Sequence, residues 1–198
     1  MSLPEPYYRD EHATIYHGDC REILPYIEAD VVVTDPPYGV AFRGESWDRE
    51  IPEIATRLPS MFPSCLIVTA PTTLWDYPRP DCLLAWTRPG STSRTKLGTF
   101  NHWSPVLVYG KHAPNPDTLR LPGCGYTPGA NTHPCPKPER LMSWLVNATE
   151  GTVLDPFAGS GTTLRAAKDL GRRSIGCEIE ERYCEIAANR LRQGVLWG

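Results

Sequence analysis

Asp35-Pro36-Pro37-Tyr38 follows the apolar run Val31-Val32-Val33, which places a carboxylate, a stiff turn and an aromatic ring at the end of a short strand. Open α/β sheets put their reacting groups at that position. An amino group on an aromatic ring is a poor nucleophile, because its lone pair is delocalised. The Asp35 carboxylate and the Pro36 carbonyl can each accept one N–H and direct the lone pair outward toward an electrophile, while Tyr38 offers a face for stacking the ring. Pro36 and Pro37 fix φ, so the acceptors need little reorganisation during reaction. A strand-ending turn without catalytic duty would use the same residue types, and the tetrapeptide alone leaves both readings open.

Far downstream stands Asp155-Pro156-Phe157-Ala158-Gly159-Ser160-Gly161-Thr162-Thr163, a strand end followed by a turn with two glycines and then a helix. Such a turn lets backbone N–H groups approach a polar ligand closely. Glu178 comes after the short apolar segment Ser174-Ile175-Gly176-Cys177 and before Ile179, where an acid can accept hydrogen bonds from ribose hydroxyls. Leu164 stands where a dinucleotide fingerprint has its third glycine, which favours a different ribose-bearing cofactor. The alternative is a plain strand-to-helix turn with a surface glutamate.

The elements that must position these groups alternate short apolar strands with helices, the pattern of a mostly parallel sheet covered by helices. Strands are predicted at 13–17, 30–34, 64–69, 82–87, 105–110, 152–155 and 173–178. One helix starts at Pro138, with Leu141, Trp144, Leu145 and Ala148 on one face and Gly151 as its stop. A second follows Gly161 and ends near Gly171. A third runs through Tyr183, Ile186, Ala187, Arg190 and Leu191 to Gly194. The stretch 110–138 is rich in proline and glycine and reads as an extended loop.

With its motifs in this order, the chain resembles DNA amino-methyltransferases of the beta arrangement, in which the catalytic motif precedes the cofactor motif. The resemblance covers nearly the whole sequence. It implies an α/β, Rossmann-like class I fold that binds S-adenosylmethionine, with circularly permuted motif order. Asp35, Pro36, Pro37 and Tyr38 match the catalytic motif. The Gly18-Asp19-Cys20 turn is similar to the acidic loop that contacts the cofactor adenine, and Asp19 can also cap a helix over 20–28. Thr132-His133-Pro134-Cys135-Pro136-Lys137-Pro138 resembles the His-Pro-x-x-Lys-Pro motif beside the methionine end. The implied cofactor set is Asp19, Cys20, Asp35, His133, Lys137, Asp155, Phe157, Ala158, Gly159, Gly161, Thr162, Glu178 and Ile179.

The resemblance also implies double-stranded DNA as partner, transfer to the adenine amino group, and pairing of protomers into a homodimer. Asp at the first catalytic position usually accompanies adenine, whereas Ser usually accompanies cytosine. The alternatives are transfer to cytosine N4, a catalytically silent subunit of the same fold, or another amino or amide substrate such as RNA or a protein glutamine. The substrate base must leave the duplex stack, and Tyr38, then Trp47, are the aromatics placed to hold it. Between the strand at 105–110 and His133 only a reduced recognition loop, 110–133, is available.

Composition bounds the rest. The 198 residues, 40% of them hydrophobic, are read as one domain spanning 1–198. Seven cysteines without a repeated short spacing fit free thiols in a reducing cytoplasm, and no apolar run approaches a membrane span. His102, His112, Cys124, His133 and Cys135 are too irregularly spaced for a metal site. The net charge of −3 confines any phosphate-binding surface to a local patch. The candidate is Arg88 to His112, with Arg88, Arg94, Lys96, His102, Lys111 and His112 and no acid. A solvated loop with ordinary surface charge would read the same.

Overall fold

The computed structural model describes residues 3–39, 49–91, 98–111, 113–122 and 137–194. Among the described residues, nine strands form one mixed sheet. In chain order they are β1 (Tyr8–Arg9), β2 (Ala13–His17), β3 (Val31–Thr34), β4 (Cys65–Val68), β5 (Cys82–Thr87), β6 (Trp103–Tyr109), β7 (Thr118–Arg120), β8 (Val153–Asp155) and β9 (Ser174–Glu178). Their order across the sheet is β1-β2-β9-β8-β3-β4-β6-β5-β7. The run from β2 through β9, β8 and β3 to β4 is parallel, so the carboxyl ends of five neighbouring strands share one edge. β6 runs antiparallel to both β4 and β5, and β7 joins β5 in parallel.

β3 and β4 are buried at every position, as expected of strands covered on both faces. Alternation divides their side chains. Val31 and Val33 face Leu141, Leu145, Ala166 and Ala167, from helices α3 (Glu139–Asn147) and α4 (Thr162–Asp169). Val32 faces the opposite layer, with Ile23 of α1 (Cys20–Ile23) and Ala55 and Leu58 of α2 (Glu53–Met61). Helix α5 (Glu181–Arg192) buries Cys184, Ala187, Ala188 and Leu191 against Ala13, Ile15 and Leu164. The result is a three-layer α/β/α arrangement.

All seven predicted strands form, within two residues at each end. β6 begins two residues before Pro105, a residue that sequence reading assigns to a strand's start. The segment read as loop, 110–138, contains β7, held by parallel pairing of Ala85, Trp86 and Thr87 with Thr118, Leu119 and Arg120. Three residues with one half-buried side chain carry too little periodicity to be seen beforehand. β1 and α2 were likewise not foreseen. Of the face assigned to α3, Leu141 and Leu145 are buried with Met142 and Val146, and Trp144 packs partly against them. Among the described residues, no helix is long and apolar enough to cross a membrane.

Candidate active site

Adjacent parallel strands deliver four acidic residues to one edge. Asp19 stands two residues beyond β2, Glu178 ends β9, Asp155 ends β8, and Asp35 directly follows β3. Residues from distant parts of the sequence are therefore neighbours.

Asp155 is 2% exposed. Its Oδ1 accepts from Thr34 Oγ1 at 2.6 Å and from the Phe157 N–H at 3.1 Å. Burial pushes its carboxyl pKa up to about 6; the Thr163 and Thr34 hydroxyls and the Phe157 N–H pull against that rise, and Asp35 adds to it. Thr34 thus ties β3 to the glycine turn. Its hydroxyl is the one polar side chain in an otherwise apolar strand, a signal that sequence reading passed over.

The turn itself is fixed by close packing. Gly159 and Gly161 both have positive φ, and a Cβ on Gly161 would lie 2.7 Å from Ala187 Cβ. Only glycine can start α4 there while α5 remains in place. The Ala158 N–H donates to Cys177 O at 2.9 Å, joining the turn to β9. Glu178 Oε2 accepts from the Gly159 N–H at 2.7 Å and Oε1 from the Glu180 N–H at 2.8 Å. Burial raises its carboxyl pKa, and these N–H donors oppose the rise. With the Ile179 N–H also acting on it, the carboxylate has room for about one further donor.

The other predicted cofactor residues fall around this edge with different surroundings. Asp19 caps α1, its Oδ1 accepting from the Arg21 N–H at 2.9 Å, and also pairs with the Arg21 guanidinium. The Gly18 N–H donates to Glu178 O at 2.9 Å, which ties the Asp19 turn to the Glu178 strand end. Cys20 and Ala158 are buried, Phe157 packs partly on the core, and Ile179 is 61% exposed. The Thr162 hydroxyl accepts from Arg190 at 2.8 Å, a contact that anchors α4 to α5. His133 and Trp47 lie outside the described residues.

At Asp35 the geometry is tighter. Tyr38 OH donates to Oδ1, and Lys137 Nζ lies 2.6 Å from Oδ2. Lys137 also sits 5.0 Å from the centre of the Tyr38 ring, within cation–π range. The side chains of Lys137 and Asp35 are 9% and 20% exposed, so this is a largely desolvated pair. Burial, and then the charge of Asp35, hold the Tyr38 phenol protonated.

The predicted basic stretch does not form one surface. Because β6 reverses direction, Arg88 and His102 lie at the edge carrying Asp35, while Lys111 follows Tyr109, which pairs with Cys65 at the opposite end of β4. Arg94, Lys96 and His112 lie outside the described residues. Arg120, at the end of β7, stands beside Thr87 at the Asp35 edge and was missed because its strand was missed. No group of three or more His, Cys, Asp or Glu residues suited to a metal occurs among the described residues.

The family model for N6/N4 DNA methylases matches residues 70–189, more than half of the chain. The chain belongs to this family. The matched stretch begins after Asp35–Tyr38 and includes Lys137, the glycine turn and Glu178. The chain is 29% identical over 206 residues to YubD of Escherichia coli (strain K12), covering 88% of each chain. It is 26% identical over 261 residues to the Type II methyltransferase M.ScaI of Streptomyces caespitosus, covering 96% of this chain and 84% of that one. With M2.LlaDCHI, a Type II methyltransferase of Lactococcus lactis subsp. cremoris, identity reaches 43% over 72 residues, but only 27% of that relative is covered. Among solved structures, the complex of M1.HpyAVI with SAM aligns with a TM-score of 0.67 and 25% identity, over 90% of this chain and 99% of that one. The cytosine-N4-specific PvuII DNA methyltransferase shares the fold, with a TM-score of 0.69 at 19% identity over 96% and 89% of the two chains. The expectation of a Rossmann-like methyltransferase fold is borne out.

Proposed function

We propose that this DNA methylase transfers a methyl group from S-adenosylmethionine to the N6 amino group of adenine in double-stranded DNA. The observation that carries the reading is the Asp35 carboxylate at the Tyr38 ring, two strands from Glu178 on the same edge. The residues present suit the cofactor: Glu178 keeps carboxylate capacity for a ribose hydroxyl, and Asp19 stands beside it at the end of the neighbouring strand.

When bound, S-adenosylmethionine supplies a methyl group activated by its sulfonium centre. The chain supplies position. Asp35 and the Pro36 carbonyl accept the amino N–H bonds, Tyr38 stacks the base, and the stiff prolines hold the acceptors in place. Lys137 fills one Asp35 oxygen in this structure, so the incoming amino group either uses the second lone pairs or displaces the ammonium. No strong base is needed, because the amino nitrogen becomes acidic as its new bond to carbon forms; in this reading the proton leaves through the Asp35 carboxylate. Adenine is assigned because Asp, rather than Ser, stands at position 35.

Incubation with methyl-labelled S-adenosylmethionine and unmethylated duplex DNA, followed by digestion and mass spectrometry of the nucleosides, tests the reading. Label in N6-methyl-2′-deoxyadenosine is expected. Label in N4-methyl-2′-deoxycytidine would overturn the base, and cofactor binding without label in DNA would overturn the substrate.

A further inference from the structure

The carboxyl ends of β5 and β7 and the start of β6 enclose an open concavity of about 450 Å³ lined by Thr87, Pro89, His102, Trp103 and Arg120. None of these residues is acidic. Trp103 is 40% exposed and His102 is exposed, with Phe100 stacked on the His102 ring at 5.7 Å. Arg120 has no ion-pair partner among the described residues.

Hydrogen bonds hold the walls together. The Arg88 N–H donates to His102 O at 2.6 Å, and the Arg88 guanidinium donates to Trp103 O at 3.0 Å. On the other side the Leu121 N–H donates to Thr87 O at 3.0 Å, and Trp86 Nε1 donates to Leu121 O at 3.2 Å, which pins the end of β7 directly after Arg120. A cation and an imidazole on a fixed apolar floor suit a polyanion with an apolar sugar between its charges.

Charge along the edge is divided. The half formed by β2, β9, β8 and β3 carries Asp19, Glu178, Asp155 and Asp35, whereas the half ending in β5 and β7 carries Arg88, His102 and Arg120. At the usual strand spacing, β7 lies roughly 20 Å from β3, about half a helical turn of duplex away from a base held at Asp35.

We propose that this concavity is the duplex-backbone contact of the enzyme, with Arg120 on a phosphate, His102 donating to the same strand and Trp103 packed on deoxyribose. The proposal rests on the DNA reading above and gives it a direction: the duplex lies over the β4–β7 half of the edge, flanking the catalytic turn. It also gives a chain of net charge −3 a local surface for DNA, since among the described residues no acid lines the concavity.

The test is a fluorescence-anisotropy titration of a labelled, unmethylated DNA duplex across a salt series, with the wild type, Arg120→Gln, Arg120→Lys and Lys111→Gln. Arg120→Gln is expected to reduce the slope of log K against log salt by about 0.9, the value of one phosphate contact. Arg120→Lys should retain the slope, and Lys111→Gln, on the opposite edge, should leave it unchanged. Melting temperature and S-adenosylmethionine affinity should be unaltered in all three. A wild-type slope in Arg120→Gln overturns the proposal, as does an equal loss in Lys111→Gln, which would indicate diffuse attraction. A wild type that binds the duplex without salt dependence overturns the phosphate contact, and one that binds no duplex overturns the DNA reading along with it.

Discussion

Lys137 Nζ lies 2.6 Å from Asp35 Oδ2, so the residue entering α3 and the residue leaving β3 form one largely buried ion pair. Removing one partner of such a pair leaves the other uncompensated. Lys137→Met should cost about 3 kcal/mol of stability, and the second change Asp35→Asn should recover most of it. Urea unfolding of both single variants and the double variant measures the coupling. Additive losses would show that the pair contributes nothing as a pair.

Tyr38 offers two separable contributions. Its hydroxyl donates to Asp35, and its ring is the face assigned to the target base. Tyr38→Phe keeps the ring, so methylation should fall only a few-fold. Tyr38→Ala should raise KM for DNA by roughly 10- to 100-fold, the range expected from losing one base–aromatic stack of about 1–3 kcal/mol. Equal kinetics in the two variants would remove stacking from the role of this residue.

Glu178 is held by the N–H groups of Gly159 and Glu180. Glu178→Ala would therefore unsatisfy the turn as well as remove the proposed ribose acceptor, and the two effects would be mixed. Glu178→Gln keeps one of the two acceptors and sets its NH2 against the other N–H, so its melting temperature should fall less than that of Glu178→Ala. Cofactor Kd should rise about 10- to 100-fold, as for lost charge-assisted hydrogen bonds of about 1.5–3 kcal/mol. Calorimetric titration with S-adenosylmethionine decides this, and an unchanged Kd would break the ribose assignment.

Much of this was legible in the sequence, for physical reasons. Val31-Val32-Val33 and Cys65-Leu66-Ile67-Val68 are buried on both faces, so continuous apolar runs marked them as central strands. The glycine turn was legible because Gly161 has positive φ and no space for a Cβ beside Ala187. β7 was not legible, since its partner β5 is distant in sequence and its own pattern is too short. The spatial split between Lys111 and His102 depends on the direction of β6, which composition does not encode. Nor does a lone threonine before Asp35 announce a bond to Asp155, a residue that becomes its neighbour only when β3 pairs with β8.

That bond leads to a pH prediction. Asp155 is almost fully buried, and its carboxyl pKa is raised to about 6, so the folded state holds the proton more tightly than the unfolded chain. The stability this confers is complete below the ordinary carboxylate range and is lost as pH rises through about 6. Ionisation of Asp155 should therefore cost about 2–3 kcal/mol at neutral pH. Asp155→Asn removes the buried charge while keeping a carbonyl oxygen for Thr34. Its stability relative to the wild type should be near zero at about pH 4 and should grow in its favour toward about pH 7.5, while cofactor affinity falls. Denaturant unfolding across that pH series measures the difference. A gap that does not change with pH would mean that Asp155 is not the group whose burial is being relieved.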